Sequence, residues 1–125
     1  MKLKTIAIAL LPLILAVACA TKVGQLSPPP KPSSANPSKI TVYRDSDIVG
    51  SPVTMVFNID SVETYGLKQG QSYSFRLDPG EYVFGFYLGL NECRQVLWFK
   101  QGKDYRIKLS PTCSFGQEEL GQEEL

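Results

Sequence analysis

The chain has 125 residues, 13 basic and 12 acidic side chains, a formal net charge of +1 and no histidine. That is one small domain's worth of sequence, and its balanced charge leaves no electrostatic footprint for nucleic acid. The missing histidine removes the commonest general base and the commonest metal ligand.

Met1-Lys2-Leu3-Lys4 forms a short positive region, followed from Ile6 to Ala18 by thirteen residues without a charged side chain. As a helix this run measures roughly 20 Å, short of the ~20 residues of a membrane span and suited to the apolar region of a signal peptide. Pro12 within it also argues against a long regular helix. The run ends Leu15-Ala16-Val17-Ala18-Cys19-Ala20. Small residues ahead of a cysteine resemble the lipobox of bacterial lipoproteins, although Ala16 stands where that family prefers Leu. The resemblance implies that residues 1–18 are a lipoprotein signal peptide and that Cys19 is diacylated after cleavage. Ala16-Val17-Ala18 also fits ordinary secretory cleavage. Ala20 stands where an inner-membrane retention signal has Asp. By the same resemblance the protein is expected on the outer membrane, lipid-anchored, with its domain in the periplasm.

Loss of Lys2 and Lys4 leaves 11 basic and 12 acidic residues, a net charge of −1, so membrane attachment rests on the lipid. Acylation of Cys19 leaves Cys93 and Cys113 as an even pair in an oxidising compartment, where a disulfide is expected. Residues 19–38 form the lipidated cysteine and a Pro/Ser-rich tether. Its Thr21–Ser38 stretch contains Pro28-Pro29-Pro30 and favours an extended conformation with a reach of up to roughly 55 Å.

The domain proper is read over residues 39–115, where short alternating runs replace any sustained 3.6-residue period. Lys39–Arg44 is the first strand, followed by a turn-rich stretch from Asp45 to Pro52 and a strand at Val53–Ile59. Val62–Leu67 is a weaker run. Ser72–Leu77 alternates Tyr73, Phe75 and Leu77 against polar residues. Asp78-Pro79-Gly80 is a strong turn, because Pro presets φ and Gly supplies a positive φ. Glu81–Leu88 then carries Tyr82, Phe84, Phe86 and Leu88 on one face. Gln95–Lys100 and Tyr105–Leu109 predict a hairpin. Trp98 would lie opposite Ile107, Val96 opposite Leu109, and Cys93 opposite position 112, so that the disulfide closes the hairpin's open end.

These runs predict an all-β fold, a small antiparallel β-sandwich of six to seven strands. Tyr73, Phe75, Tyr82, Phe84, Phe86 and Trp98 are expected in its core. Gln71–Tyr82 (QSYSFRLDPGEY) resembles the Tyr-x-x-x-Leu-x-Pro-Gly-x-Tyr segment of small β-sandwich domains in bacterial surface proteins and lipoproteins. With the signal, the Pro-rich spacer and the Ile40–Arg44 start, the chain is similar to a family of short bacterial lipoproteins of unknown function. That resemblance implies fold more than function. Residues 116–125 repeat Gly-Gln-Glu-Glu-Leu twice and read as a solvated acidic tail, with a docking tag as the alternative.

Chemistry is sparse. No CxxC, phosphate-binding loop, GxGxxG or GxSxG pattern occurs. The carboxylates Asp45, Asp47, Asp60, Glu63, Asp78, Glu81, Glu92 and Asp104 fall mostly in turns or at strand ends. Asp45-x-Asp47 lacks the glycine and distal Glu of a calcium loop. No enzyme, catalytic residue, metal or cofactor is therefore expected. The leading expectation is an envelope lipoprotein acting as a tethered structural or protein-binding module, with an accessory role in an envelope or secretion assembly as one form of it. The partner would be another envelope protein, docked on an edge strand at Ile40, Val42 and Arg44. The alternative is a glycan- or peptidoglycan-binding sandwich using Tyr43, Tyr65 and Tyr87. The oligomeric state is left open.

Overall fold

A computed structural model describes residues 22–45 and 53–121. Cys19, Asp47 and residues 122–125 of the repeat lie outside that range. The strands are Gly24–Gln25 (β1), Ser38–Arg44 (β2), Met55–Ile59 (β3), Val62–Leu67 (β4), Ser72–Leu77 (β5), Gly80–Leu88 (β6), Asn91–Phe99 (β7), Lys103–Ser110 (β8) and Ser114–Gly121 (β9). A five-stranded sheet has the order β1-β4-β3-β6-β7, and a four-stranded sheet the order β5-β2-β8-β9. Together they make a small β-sandwich. All neighbours are antiparallel apart from β2 and β8, which run parallel.

Period-2 alternation decides which side chains enter the core. Ile40 and Val42 are fully buried in β2, while Thr41 and Tyr43 face outward. Phe84 and Phe86 from β6 meet Phe57 from β3 and Phe75 from β5. The Phe57 and Phe84 rings pack edge to face at 5.1 Å, and Phe99 meets Tyr105 across the sheets at 4.9 Å. Such tilted pairs add about 0.5–1.5 kcal/mol each beyond area burial. The Asp78-Pro79-Gly80 turn is locked by Tyr82, whose hydroxyl donates to the Asp78 carbonyl at 2.8 Å. This is the tyrosine-corner device of sandwich folds, and it explains the Leu77–Tyr82 pattern.

The strand count is nine rather than six or seven, because both supposed tails contribute strands. The first Gly-Gln-Glu-Glu-Leu copy lies within β9 and pairs with β8 from Lys103↔Gly121 to Ser110↔Ser114. The described part of the tether is likewise not a free spacer. Gly24 and Gln25 pair with Gly66 and Tyr65, and Leu26 N–H donates to the Thr64 carbonyl at 2.8 Å. Further along, the Ser33 and Ser34 amides donate to the Asp78 carboxylate at 3.0 and 2.9 Å. The segment is a strap running from the five-stranded sheet to β2.

The expected β7–β8 hairpin is replaced by a crossover. β7 pairs with β6 over nine residue pairs, from Gly80↔Phe99 to Leu88↔Asn91. Only Gly89 and Leu90 separate these strands, and Gly89 supplies the positive φ, 65°, that a two-residue hairpin favours. β8 instead lies in the other sheet, between β2 and β9. Val96 and Trp98 consequently face solvent, Trp98 at 64% exposure, while Cys93, Leu97 and Phe99 point inward. Trp98 is thus removed from the expected core. The Cys93–Cys113 disulfide is present, with a Cα separation of 5.1 Å. It joins β7 to the turn before β9, stitching the two sheets together rather than closing a hairpin.

β2 is an interior strand, hydrogen-bonded to β5 on one side and β8 on the other. The expected edge at Ile40, Val42 and Arg44 therefore does not exist. Arg44 is buried and acts between the sheets. Its guanidinium donates to the Val53 carbonyl at 2.6 Å and the Leu67 carbonyl at 3.0 Å, and burial pushes its pKa down from the ordinary value. An arginine remains charged under any such shift.

Candidate functional site: the β5 edge and the proline strap

β5 forms one end of the four-stranded sheet. The Arg44 amide donates to the Gln71 carbonyl at 2.9 Å, in line with the β2–β5 register. In an antiparallel ladder such hydrogen-bonded pairs recur at every second residue. Tyr73, Phe75 and Leu77 therefore turn their backbone groups toward β2, and Ser72, Ser74 and Arg76 turn theirs toward the open side. The Thr41 and Ser74 hydroxyls, 2.8 Å apart, fit the closer side-chain approach of a non-hydrogen-bonded pair.

The strap passes along this open side. Pro28, Pro29, Pro30 and Pro32 lack N–H groups and cannot complete a ladder with β5. What remains between strap and strand is a groove of about 670 Å³, also lined by Lys31, Tyr73 and Arg76. Its aromatic wall is held in place, because Tyr73 stacks on Tyr65 with ring centroids 4.2 Å apart and a 17° interplanar angle. The two cationic side chains favour an acidic occupant.

The far end of the strap is fastened at Asp78. Backbone amides of Ser33 and then Ser34 hold its carboxyl below the usual carboxylate range, and the Ser33 hydroxyl adds a contact at 3.1 Å. Tyr82 beneath this turn has its phenol raised, first by burial and then by the charges of Asp78 and Asp60. These groups hold the strap and the turn in place.

The three tyrosines expected to form a glycan platform do not share a surface. Tyr43 lies on the outer face of the four-stranded sheet, with the Arg106 guanidinium 4.3 Å from its ring centre. Tyr65 sits against Tyr73 at the β4–β5 corner. Tyr87 is on the outer face of the other sheet, opposite Val56 and Glu92. Only Tyr65 approaches the groove, as backing for its wall. Asp45 pairs with Lys108 at 3.1 Å, and among the described residues no group of three His, Cys, Asp or Glu side chains is placed to hold a metal ion. The groove residues Tyr73 and Arg76 escape a sequence reading that assigns one to the core and the other to a solvated face. The one signal for them is the proline run itself, once it is treated as a surface to be packed.

No protein-family model matches the chain, and no curated protein matches it.

Proposed function

We propose that this protein is a lipid-anchored binding module of the cell envelope, which captures an extended acidic segment of another envelope protein by strand addition to β5. The observation that carries the reading is an edge strand with outward backbone groups, kept open by a strap that has no amide hydrogens at its four prolines to satisfy it. Exposed edges are templates for a further strand, and in such recognition main-chain bonds supply affinity while neighbouring side chains supply selectivity. Lys31 and Arg76 supply that selectivity here, for carboxylates. The signal-like N-terminus, the lipobox-like Cys19 and the disulfide agree with an exported, oxidised protein. The module acts by holding its partner and not by turnover.

The test places a photo-crosslinking amino acid at Ser72, in the lipidated protein in intact cells. A discrete protein adduct is expected, lost in Ser74→Pro and weakened in Arg76→Glu. Ser74→Pro removes an edge-facing N–H and leaves the β2 ladder intact, and Pro is tolerated on edge strands. An unchanged adduct in a Ser74→Pro protein with native circular dichroism would exclude this edge.

A further inference from the structure

The two outer faces of the sandwich differ in chemistry. The four-stranded sheet presents Lys39, Arg76, Arg106 and Lys108 together with Asp104 and Glu118 among hydroxyl side chains. Among the described residues, seven large apolar side chains are exposed, and six of them belong to the five-stranded sheet or the segments that enter its strands. Leu90, in the β6–β7 turn, is fully exposed, and Val96 and Trp98 stand outward on β7 at 48% and 64%. Val83 is the register partner of Val96, so an aliphatic row crosses β6 and β7 beside the indole. Tyr87 and Trp98 lie roughly 20 Å apart along the strands at about 3.3 Å per residue. Apolar side chains therefore stand at both ends of the sheet, with the Arg94–Glu92 ion pair between them.

The N-terminal chain leaves from this same face. Lys22 passes directly over Gly66, whose missing side chain makes room: a Cβ there would lie 2.8 Å from the Lys22 carbonyl carbon. Gly66 is the outward-facing partner of Val56. Three residue steps separate Cys19 from Lys22, at most about 11 Å of extended chain. Because the strap is folded onto the domain, no longer spacer intervenes. On this face Lys22 pairs with Glu63 and Arg94 with Glu92, each at 2.7 Å, while Glu81 stands exposed opposite Trp98.

We propose that the outer face of the five-stranded sheet lies against the lipid headgroups, with Trp98, Val96, Tyr87 and Leu90 at the membrane–water interface. The inference rests on acylation of Cys19. The short link to the lipid then holds this face, rather than the charged face of the other sheet, next to the bilayer. Tryptophan and tyrosine favour that interface because one end of the ring is apolar and the other polar. With Lys22 and Arg94 paired to carboxylates, the contact is driven by apolar burial rather than by attraction to anionic headgroups, so it is insensitive to salt. The β5 edge, in the opposite sheet, stays free for a partner.

Trp98 is the single tryptophan of the chain, which makes it a clean probe. Full-length lipidated protein is reconstituted in phosphatidylethanolamine/phosphatidylglycerol vesicles, with or without brominated acyl chains. Trp98 emission is expected to shift to shorter wavelength and to be quenched by the brominated lipid, equally at low and high salt. A paired Leu90→Asp and Val96→Asp substitution should relieve the quenching while the protein stays anchored. Unquenched emission from protein whose N-terminal acylation is confirmed by mass spectrometry would overturn the docking and leave the anchor standing. An N-terminus without acyl groups would remove the anchor itself. Quenching that disappears in salt, or a shift that depends on protein density and ignores bromine, would also refute the lipid contact, the latter in favour of a second copy on this face.

Discussion

Replacing Cys93 and Cys113 together by Ala tests how much of this small sandwich depends on the stitch between its sheets. The bond closes a segment with a sequence separation of 20. Chain-entropy reasoning converts a loop of that size to about 3 kcal/mol of stabilisation through the unfolded state. Cys93 is buried beside the core, so truncating it adds a small cavity cost, on the order of 1 kcal/mol. Small domains hold about 5–15 kcal/mol in total, and a loss of about 4 kcal/mol is expected to lower the melting temperature by roughly 15–30 °C. Urea unfolding is best followed by far-ultraviolet circular dichroism, since Trp98 lies on the outer face and reports poorly on the core. Amide exchange adds a spatial check. β9 should lose protection first, because the bond secures the turn that begins it, while β8 stays protected between β2 and β9. A loss below about 1 kcal/mol, or equal loosening of β7 and β8, would refute the sheet-to-sheet role.

Three further outcomes follow from the packing. Arg44→Met should cost about 1–3 kcal/mol in urea unfolding, because the buried Leu67 carbonyl loses its donor; a neutral result would mean that the carbonyl finds water. Gly66→Ala places a methyl group against the Lys22 backbone, so exchange at Leu26 and Ser27 should rise while the core amides keep their protection. Asp78 has a folded-state pKa below that of the unfolded chain, so its contribution is present above the unfolded value of about 3.9 and is lost as pH falls through the folded one. Exchange protection at Ser33 and Ser34 should therefore decline in strong acid, and Asp78→Asn should remove that pH dependence.

The class of the fold was legible because period-2 alternation is a local property of the chain. Ile40 and Val42, Tyr73 and Phe75, and Phe84 and Phe86 declare one buried face without reference to any partner strand. The disulfide was equally legible, since cysteine parity and the signal-like N-terminus, which are independent of topology, led to the expectation of it. Its expected geometry was wrong even though the bond itself forms. The turn at Asp78-Pro79-Gly80 needed only the conformational preferences of its own residues.

Strand partnership was decided by tertiary structure, because more than one pairing satisfied the same pattern. β7 is apolar on both faces, with Val96 and Trp98 on one and Cys93, Leu97 and Phe99 on the other. Alternation cannot choose between two such faces. The choice came from the Gly89-Leu90 turn, which zips β7 onto β6 and commits Leu97 and Phe99 to the core. The β5 edge was hidden for a related reason. β2 looked like an end strand because it follows the prolines in sequence, but a parallel partner, β8, arrives some sixty residues later to cover it. Proline composition showed that residues 28–32 could not join a sheet. Only the folded chain placed them beside one, where their missing amides leave the neighbouring strand open.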